Sequence, residues 1–350
     1  MLLDLGRSEE ALTVLGTALA EEPGSTALLC LAARVHLAKG DAVSALAAAN
    51  AAVAADPDSE WGHRLASLAL EAQGRSDEAV RAAEQAARLA PTMWQTQHCL
   101  AMAQSRAEQH KQAMATAHNA VRMAPRQHES HFALGYAAMR AGHKRVAREA
   151  FKRVLAMDPE NSAALNNLAK LGMDRGRLLT AAHGFSASLS ADPHSEVARY
   201  NIDVLARRLL LRLHWAMFAL YLVLSSVVPH DATDALGRPI RQSVKTPSWL
   251  AVLSPALLVL FVVAIVLLDR RLPRAMRWYL RRLPRTDLFL GGWLALDLVA
   301  FGLLLALGLP QTPANRSLLV GLAFAALFAG MIVSRIGSSR MKKRRAALRS

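Results

Sequence analysis

Apolar positions in residues 58–91 fall on two helical stripes. Trp61, Leu65, Leu68 and Ala69 follow i, i+3 and i+4 spacing, and Ala79, Ala82, Ala83 and Ala86 form a second stripe of alanine. Gly74 lies between them. It can enter the left-handed region, so it ends the first helix and reverses the chain. Ser76 or Asp77 is then placed to cap the second helix, with Glu78 favourable in its first turn. Pro91 lacks an amide proton and stops that helix. The pattern predicts two antiparallel helices that approach closely over the small side chain of Ala79.

This hairpin recurs without insertion. Pro23, Pro57, Pro91, Pro125, Pro159 and Pro193 are each 34 residues apart, as are Ala11, Ala45, Ala79, Ala113, Ala147 and Ala181. Gly6, Gly40, Gly74, Gly142 and Gly176 keep the same register, with Glu108 as the single exception. One hairpin cannot bury both faces, but a stack of three or more can, so a fixed period of this size marks a solenoid. At these residues the chain resembles the tetratricopeptide repeat family. The resemblance implies an all-α solenoid over residues 1–208, with the first helices of successive hairpins lining a concave surface that holds an extended peptide or a partner helix.

Five full units are expected: 24–57, 58–91, 92–125, 126–159 and 160–193. A partial unit precedes them, its second helix running from about Ser8 to Glu22. Met1 enters partway through a first helix, so either about nine residues of the pattern precede it or that helix is a stub with Leu2, Leu3 and Leu5 as a shortened face. The fit is uneven. The large aromatic near the start of the first helix is replaced by Leu29, His63, Gln97, His131 and Leu165. The bulky residue of the second helix is alanine at 49, 83 and 117 but Phe151 and Phe185 later, which predicts softer early repeats. After Pro193, residues 196–208 read as the capping helix of the array.

Beyond 208 the composition changes. Segments 209–228, 249–268, 288–309 and 317–334 are apolar, and about 20 such residues span a bilayer as a helix, so four transmembrane helices are expected over 209–336. Arg212 and His214 in the first must snorkel to the interface. In the fourth, Gly321, Ala325 and Ala329, with Ala326 and Gly330, form small-residue faces suited to close helix packing.

The net charge of +15 divides sharply. Residues 1–205 carry 21 Lys+Arg against 22 Asp+Glu, and residues 206–350 carry 21 against 5. The basic excess therefore belongs to the apolar part, which argues for a membrane protein with a basic cytoplasmic face and against nucleic acid as a partner. Linker 269–287 has seven arginines and the stretch 335–350, which includes the basic cytoplasmic tail 337–350, has seven basic residues, against three in 229–248 and Arg316 alone in 310–316. Linker, tail and, with an even number of spans, the repeats are thus expected in the cytoplasm of an inner (cell) membrane. If 209–228 is only interfacial, the repeats face the other way. The abundance of alanine and arginine suits a GC-rich bacterium, and the N-terminus shows no basic segment followed by a long apolar run.

No catalytic motif or cofactor signature is present, which argues against an enzyme. His128 and His131 could seat a metal at i, i+3, but no carboxylate or cysteine motif accompanies them. Cys30 and Cys99 fall two repeats apart, beyond the ~7 Å reach of a disulfide when packed helices are ~8–10 Å apart, and read as small core or groove residues in a reducing compartment. Carried over by register, the groove is lined by Arg34, Trp61, Arg64, Gln95, His98, Arg106, Phe132, Tyr136, Arg140, Asn166 and Lys170, a mixture of cations and rings suited to an acidic, partly apolar segment. The arginines Arg270, Arg271, Arg274, Arg281 and Arg282, with Trp278 among them, suit anionic lipid headgroups. Asp297, mid-span in the third apolar segment, costs ~2.5–3.5 kcal/mol to insert and should face other helices, with Tyr221 as its expected polar partner and His214 nearer the inner end. The expected function is a membrane-anchored adaptor or scaffold that binds protein partners. The alternative is a transporter or membrane enzyme using Asp297, with the repeats as its regulatory arm.

Overall fold

The computed structural model describes residues 6–227, 248–274, 276–278, 281–282, 287–306 and 313–347. Leu2, Leu3 and Leu5, the loop 229–247 and the connection 307–312 lie outside the described residues. Fifteen helices and no strand occur among those described. α1 (Ser8–Glu21) is the second helix of the partial unit. The pairs α2 (Thr26–Lys39) and α3 (Ala42–Ala55), α4 (Glu60–Ala72) and α5 (Ser76–Leu89), α6 (Trp94–Arg106) and α7 (His110–Met123), and α8 (His128–Arg140) and α9 (Lys144–Met157) follow. Then come α10 (Ser162–Met173), α11 (Leu178–Ala191), α12 (Glu196–Val227), α13 (Ser248–Arg271), α14 (Leu288–Ala306) and α15 (Pro313–Ala347). Two compact units divide between Leu171 and Gly172, inside α10, whereas the repeat register alone places the limit at 208.

In the first unit the 34-residue seam is the core. Ala45, Ala79, Ala113 and Ala147 are completely buried between the helices of their hairpins. Phe151 occupies the position that Ala49, Ala83 and Ala117 hold earlier, and it too is completely buried. Room for its ring comes from Gly135, where a Cβ would lie 2.8 Å from Phe151 Cε1. The earlier repeats have Ala33, Ser67 and Ala101 at the position of Gly135, so bulk added on one helix is matched by bulk removed from the other. The turns are uniform. Gly40, Gly74 and Gly142 have φ of 75–81°, and Glu108 takes the same left-handed conformation at φ 61°. The Arg75 N–H then reaches back to the Leu70 carbonyl at 2.9 Å, closing α4.

One expected cap is absent. α5 begins at Ser76 with Arg75 at the N-cap, so Ser76 and Asp77 fall inside the first turn and neither side chain caps it. Arg75 instead grips Glu78, Nε to Oε1 at 2.6 Å.

In the second unit α12 is a single helix of 32 residues. The capping helix expected at 196–208 and the apolar span expected at 209–228 are continuous in it, because no Gly or Pro interrupts 196–227. α12 lies beside α14 and α15. Ala206 packs with Leu290 and Trp293, and Met217 and Tyr221 pack with Ala300, Leu304, Ala323, Ala326 and Leu327. α12 and α14 therefore run in the same direction. At their shared end Arg207 pairs with Asp287, whose Oδ1 accepts the N–H groups of Phe289 and Leu290 at 3.0 and 3.1 Å and so caps α14. α15 uses one of its two small-residue faces. Ala326 and Gly330 are buried, while a Cβ at Gly321 would meet nothing within 4 Å.

Candidate functional site

First helices pack on one another across repeats, α2 on α4, α4 on α6 and α6 on α8. This puts them on the inner side of the stack. A step of 34 residues keeps a side chain at the same height on each, so Arg34, Leu68, Met102, Tyr136 and Lys170 form a column along that surface. Arg34 is exposed, Leu68 is 40% exposed, and Met102, Tyr136 and Lys170 are half-buried. Leu68 and Met102 were not among the expected groove residues. The signal that identifies them is the register itself, which matters more here than polarity.

Three of the four arginines expected to meet a ligand are held by the array. Arg64 Nε donates to Glu60 Oε2 at 2.5 Å. Arg106 pairs with Glu71, whose carboxyl burial pushes above the usual carboxylate range while the guanidinium opposes the shift. Arg140 Nε donates to the Ser105 carbonyl at 3.3 Å, and its NH2 lies 3.3 Å from Glu108 Oε1. Arg106 and Arg140 sit in the last turn of their helices and reach the end of the preceding first helix, where exposed carbonyls and the helix dipole favour a cation. Arg208 repeats the arrangement in the second unit, NH1 to the Met173 carbonyl at 3.2 Å.

Trp61 is half-buried against Cys30, Ala33 and Leu65. Gln95 is half-buried, and Asn166 is buried. His98 Nδ1 lies 3.0 Å from the Glu129 carbonyl, and desolvation holds its imidazole below the ordinary histidine range. Phe132 stacks on Tyr136 with centroids 6.4 Å apart and meets the edge of Phe151 at 5.6 Å. His131 Nε2 lies 2.9 Å from the Pro125 carbonyl and His128 lies beside Glu129, so the two histidines do not converge. Cys30 and Cys99 are both buried and unlinked, with burial pushing their thiols up to about 11 and about 12.

The second unit holds a buried polar pair. His214 Nδ1 lies 2.7 Å from Asp297 Oδ1, and each residue is 2% exposed. Tyr221, the expected partner, packs instead against Phe218 and Phe324. The reason is the setting of α12 along α14: Ala206 is level with Leu290, which brings His214 level with Asp297 and Tyr221 level with Leu304. His214 therefore does not snorkel. Arg212 does turn outward, towards the Gly176 carbonyl at 3.4 Å. Trp293 brings its indole N–H to 3.3 Å from His214 Nδ1. Gly330 closes the site: a Cβ there would lie 3.3 Å from Trp293, 3.4 Å from His214 and 3.5 Å from Asp297.

In the linker, Arg274, Arg277, Trp278, Arg281 and Arg282 surround an open cavity of about 400 Å³. Arg282 lies 4.3 Å over the Trp278 ring, and Asp269 lies 3.5 Å from Arg281. Arg270 and Arg271 are exposed at the end of α13.

The hairpin stack defines an all-α repeat protein of the protein-interaction type. Two family models, both described as tetratricopeptide repeat, match residues 2–68 and 132–196, so these two segments are repeats of that type. Among solved structures, the chain is similar to TTC0263, a thermophilic TPR protein of Thermus thermophilus, at 18% identity over 50% of this chain and 95% of that one, with a TM-score of 0.47. It is also similar to PilW, a type IV pilus biogenesis factor, at 16% identity over 57% and 92% with a TM-score of 0.47. A tetratricopeptide repeat protein of Parabacteroides merdae matches at 14% identity over 64% and 87%, with a TM-score of 0.48. No curated protein matches the chain.

Proposed function

We propose that this protein is a membrane-anchored adaptor that captures a segment of a partner protein along the inner face of its repeats. The column Arg34, Leu68, Met102 and Tyr136 carries the reading. It combines apolar surface with Arg34 at one end, and Lys170 closes the column at the other, which suits a mainly apolar segment bearing an acidic residue near Arg34. Arg64, Arg106 and Arg140 support that surface from within, through the ion pairs described above.

Anchoring is supported by apolar surface. Helix residues Leu318–Gly337 are long and apolar enough to cross a membrane, with a mean hydropathy of 2.1. Val259, Leu260, Leu298, Val299, Leu318 and Phe328 are all exposed, as lipid-facing side chains would be. The 249–268 stretch of α13 has no charged residue, which favours more than one crossing. The arginines of the linker would then meet anionic headgroups on the cytoplasmic side.

The test places a photocrosslinking side chain at Leu68 or Tyr136 in the full chain in cells, with exposed Arg81 on α5 as the control. A discrete adduct at 68 and 136 that is absent at 81, and that is lost when Leu68→Glu is added to the 136 probe, is expected. Adducts only at 81, or equal at all three, would discard the inner face as the docking surface.

A further inference from the structure

A cavity of about 270 Å³ adjoins the buried pair, lined by His214, Trp215, Phe218, Phe324, Leu327, Phe328 and Met331. We infer that it binds the head of a quinone-type molecule, with His214 as the polar anchor. Four aromatic rings and a methionine supply faces for a flat ring. Its size lies just below the usual range of ligand pockets, roughly 300–1,000 Å³, which suits one or two fused rings rather than a large ligand. Among the described residues His214 is the one titratable side chain lining it, so an uncharged ligand is favoured. Its Nδ1 is taken by Asp297, which fixes the ring and leaves Nε2 as the atom that can meet a ligand oxygen. With Nδ1–H donated to Asp297, Nε2 accepts from a ring hydroxyl when the imidazole is neutral and donates to a carbonyl when it is protonated. That matches a molecule whose oxygens alternate between those two forms. The rim residues Trp215, Phe324 and Phe328 are about half exposed on apolar helix faces, so a lipid-soluble ligand reaches the cavity without crossing water.

A second observation marks the pair as more than a packing contact. Asp297 Oδ2 is buried with no hydrogen-bond partner among the described residues. A structural polar contact ordinarily satisfies its buried atoms, and an intramembrane acid that does not is a mark of function. The inference is independent of the groove, because every residue it uses lies in the second unit.

The test titrates the full chain in lipid nanodiscs with menadione, followed by quenching of tryptophan fluorescence and by equilibrium dialysis. Saturable binding is expected, weakened at least about tenfold by His214→Phe, which keeps a ring but removes both nitrogens. Methylnaphthalene, which has the rings without the oxygens, is expected to bind at least about tenfold more weakly to the unaltered protein, and this arm stands even where His214→Phe fails to fold. Equal binding of the two compounds, equal binding by a folded His214→Phe variant, or no saturable binding of menadione would each overturn the proposal.

Discussion

Glu108 shows how a single residue departs from the repeat and still obeys its geometry. It holds the left-handed turn that glycine holds at 40, 74 and 142, with φ of 61°. A non-glycine residue there costs about 1–2 kcal/mol, and its exposed ion pair to Arg140 returns a fraction of that. Glu108→Gly is therefore expected to stabilise the array by about 1 kcal/mol, read as a higher urea midpoint with an unchanged slope. His98 acts through pH. The folded chain holds its imidazole below the value of the unfolded chain, so its contribution is full above about pH 6.5 and is lost as the pH falls through the folded value. Unfolding midpoints measured from pH 7 to pH 5 should fall less steeply for His98→Gln than for the unaltered protein. Neither effect is visible in composition. The turn position could be read from the 34-residue register, but the burial of His98 depends on the next repeat, whose Glu129 carbonyl covers it.

At the scale of helices, periodicity revealed much and relative setting little. Helix limits in the repeats follow from Gly and Pro, and the hairpins fall where the sequence placed them. The choice of Tyr221 as the partner of Asp297 failed because it measured depth from 209, where the apolar composition starts. α12 instead aligns with α14 from Ala206 onward, through the Arg207–Asp287 pair and the packing of Leu290. A contact between residues 83 apart on two apolar helices has no periodic signature. The partners of Arg106 and Arg140 were hidden for a related reason: they lie one repeat earlier, 35 residues back. Helix packing also makes a sharp contrast within α15. Gly330→Ala forces a methyl against Trp293, His214 and Asp297 and is expected to cost about 1–3 kcal/mol, whereas Gly321→Ala faces open space and should cost nearly nothing. Thermal unfolding of the two variants in the same detergent checks this.

For the whole molecule, the membrane arrangement is testable with the chain's own chemistry. Cys30 and Cys99 are buried, and their thiols are pushed to about 11 and about 12, so both should stay silent towards maleimides in the folded protein. A cysteine introduced at Ser243 or at Arg277 then reports its own side alone. With the expected even number of crossings, an impermeant maleimide added to intact cells labels Ser243→Cys, while Arg277→Cys reacts only after permeabilisation. The reverse pattern would invert the topology, and labelling of both would remove the crossings between them.

The arginine clasps have a consequence for the order in which the array comes apart. They are present at 106 and 140, but the same position is Ala38 and Ala72 in the two earlier units. The stack is thus fastened at its later hairpins and open-ended at the start, so fraying should travel from α2 towards α8. Arg106 already clasps α4 through Glu71, so hydrogen exchange in α2 is expected to outpace that in α4, α6 and α8. A partner seated at Arg34 would slow exchange most in the hairpins that are loosest without it, and would act as the missing clasp.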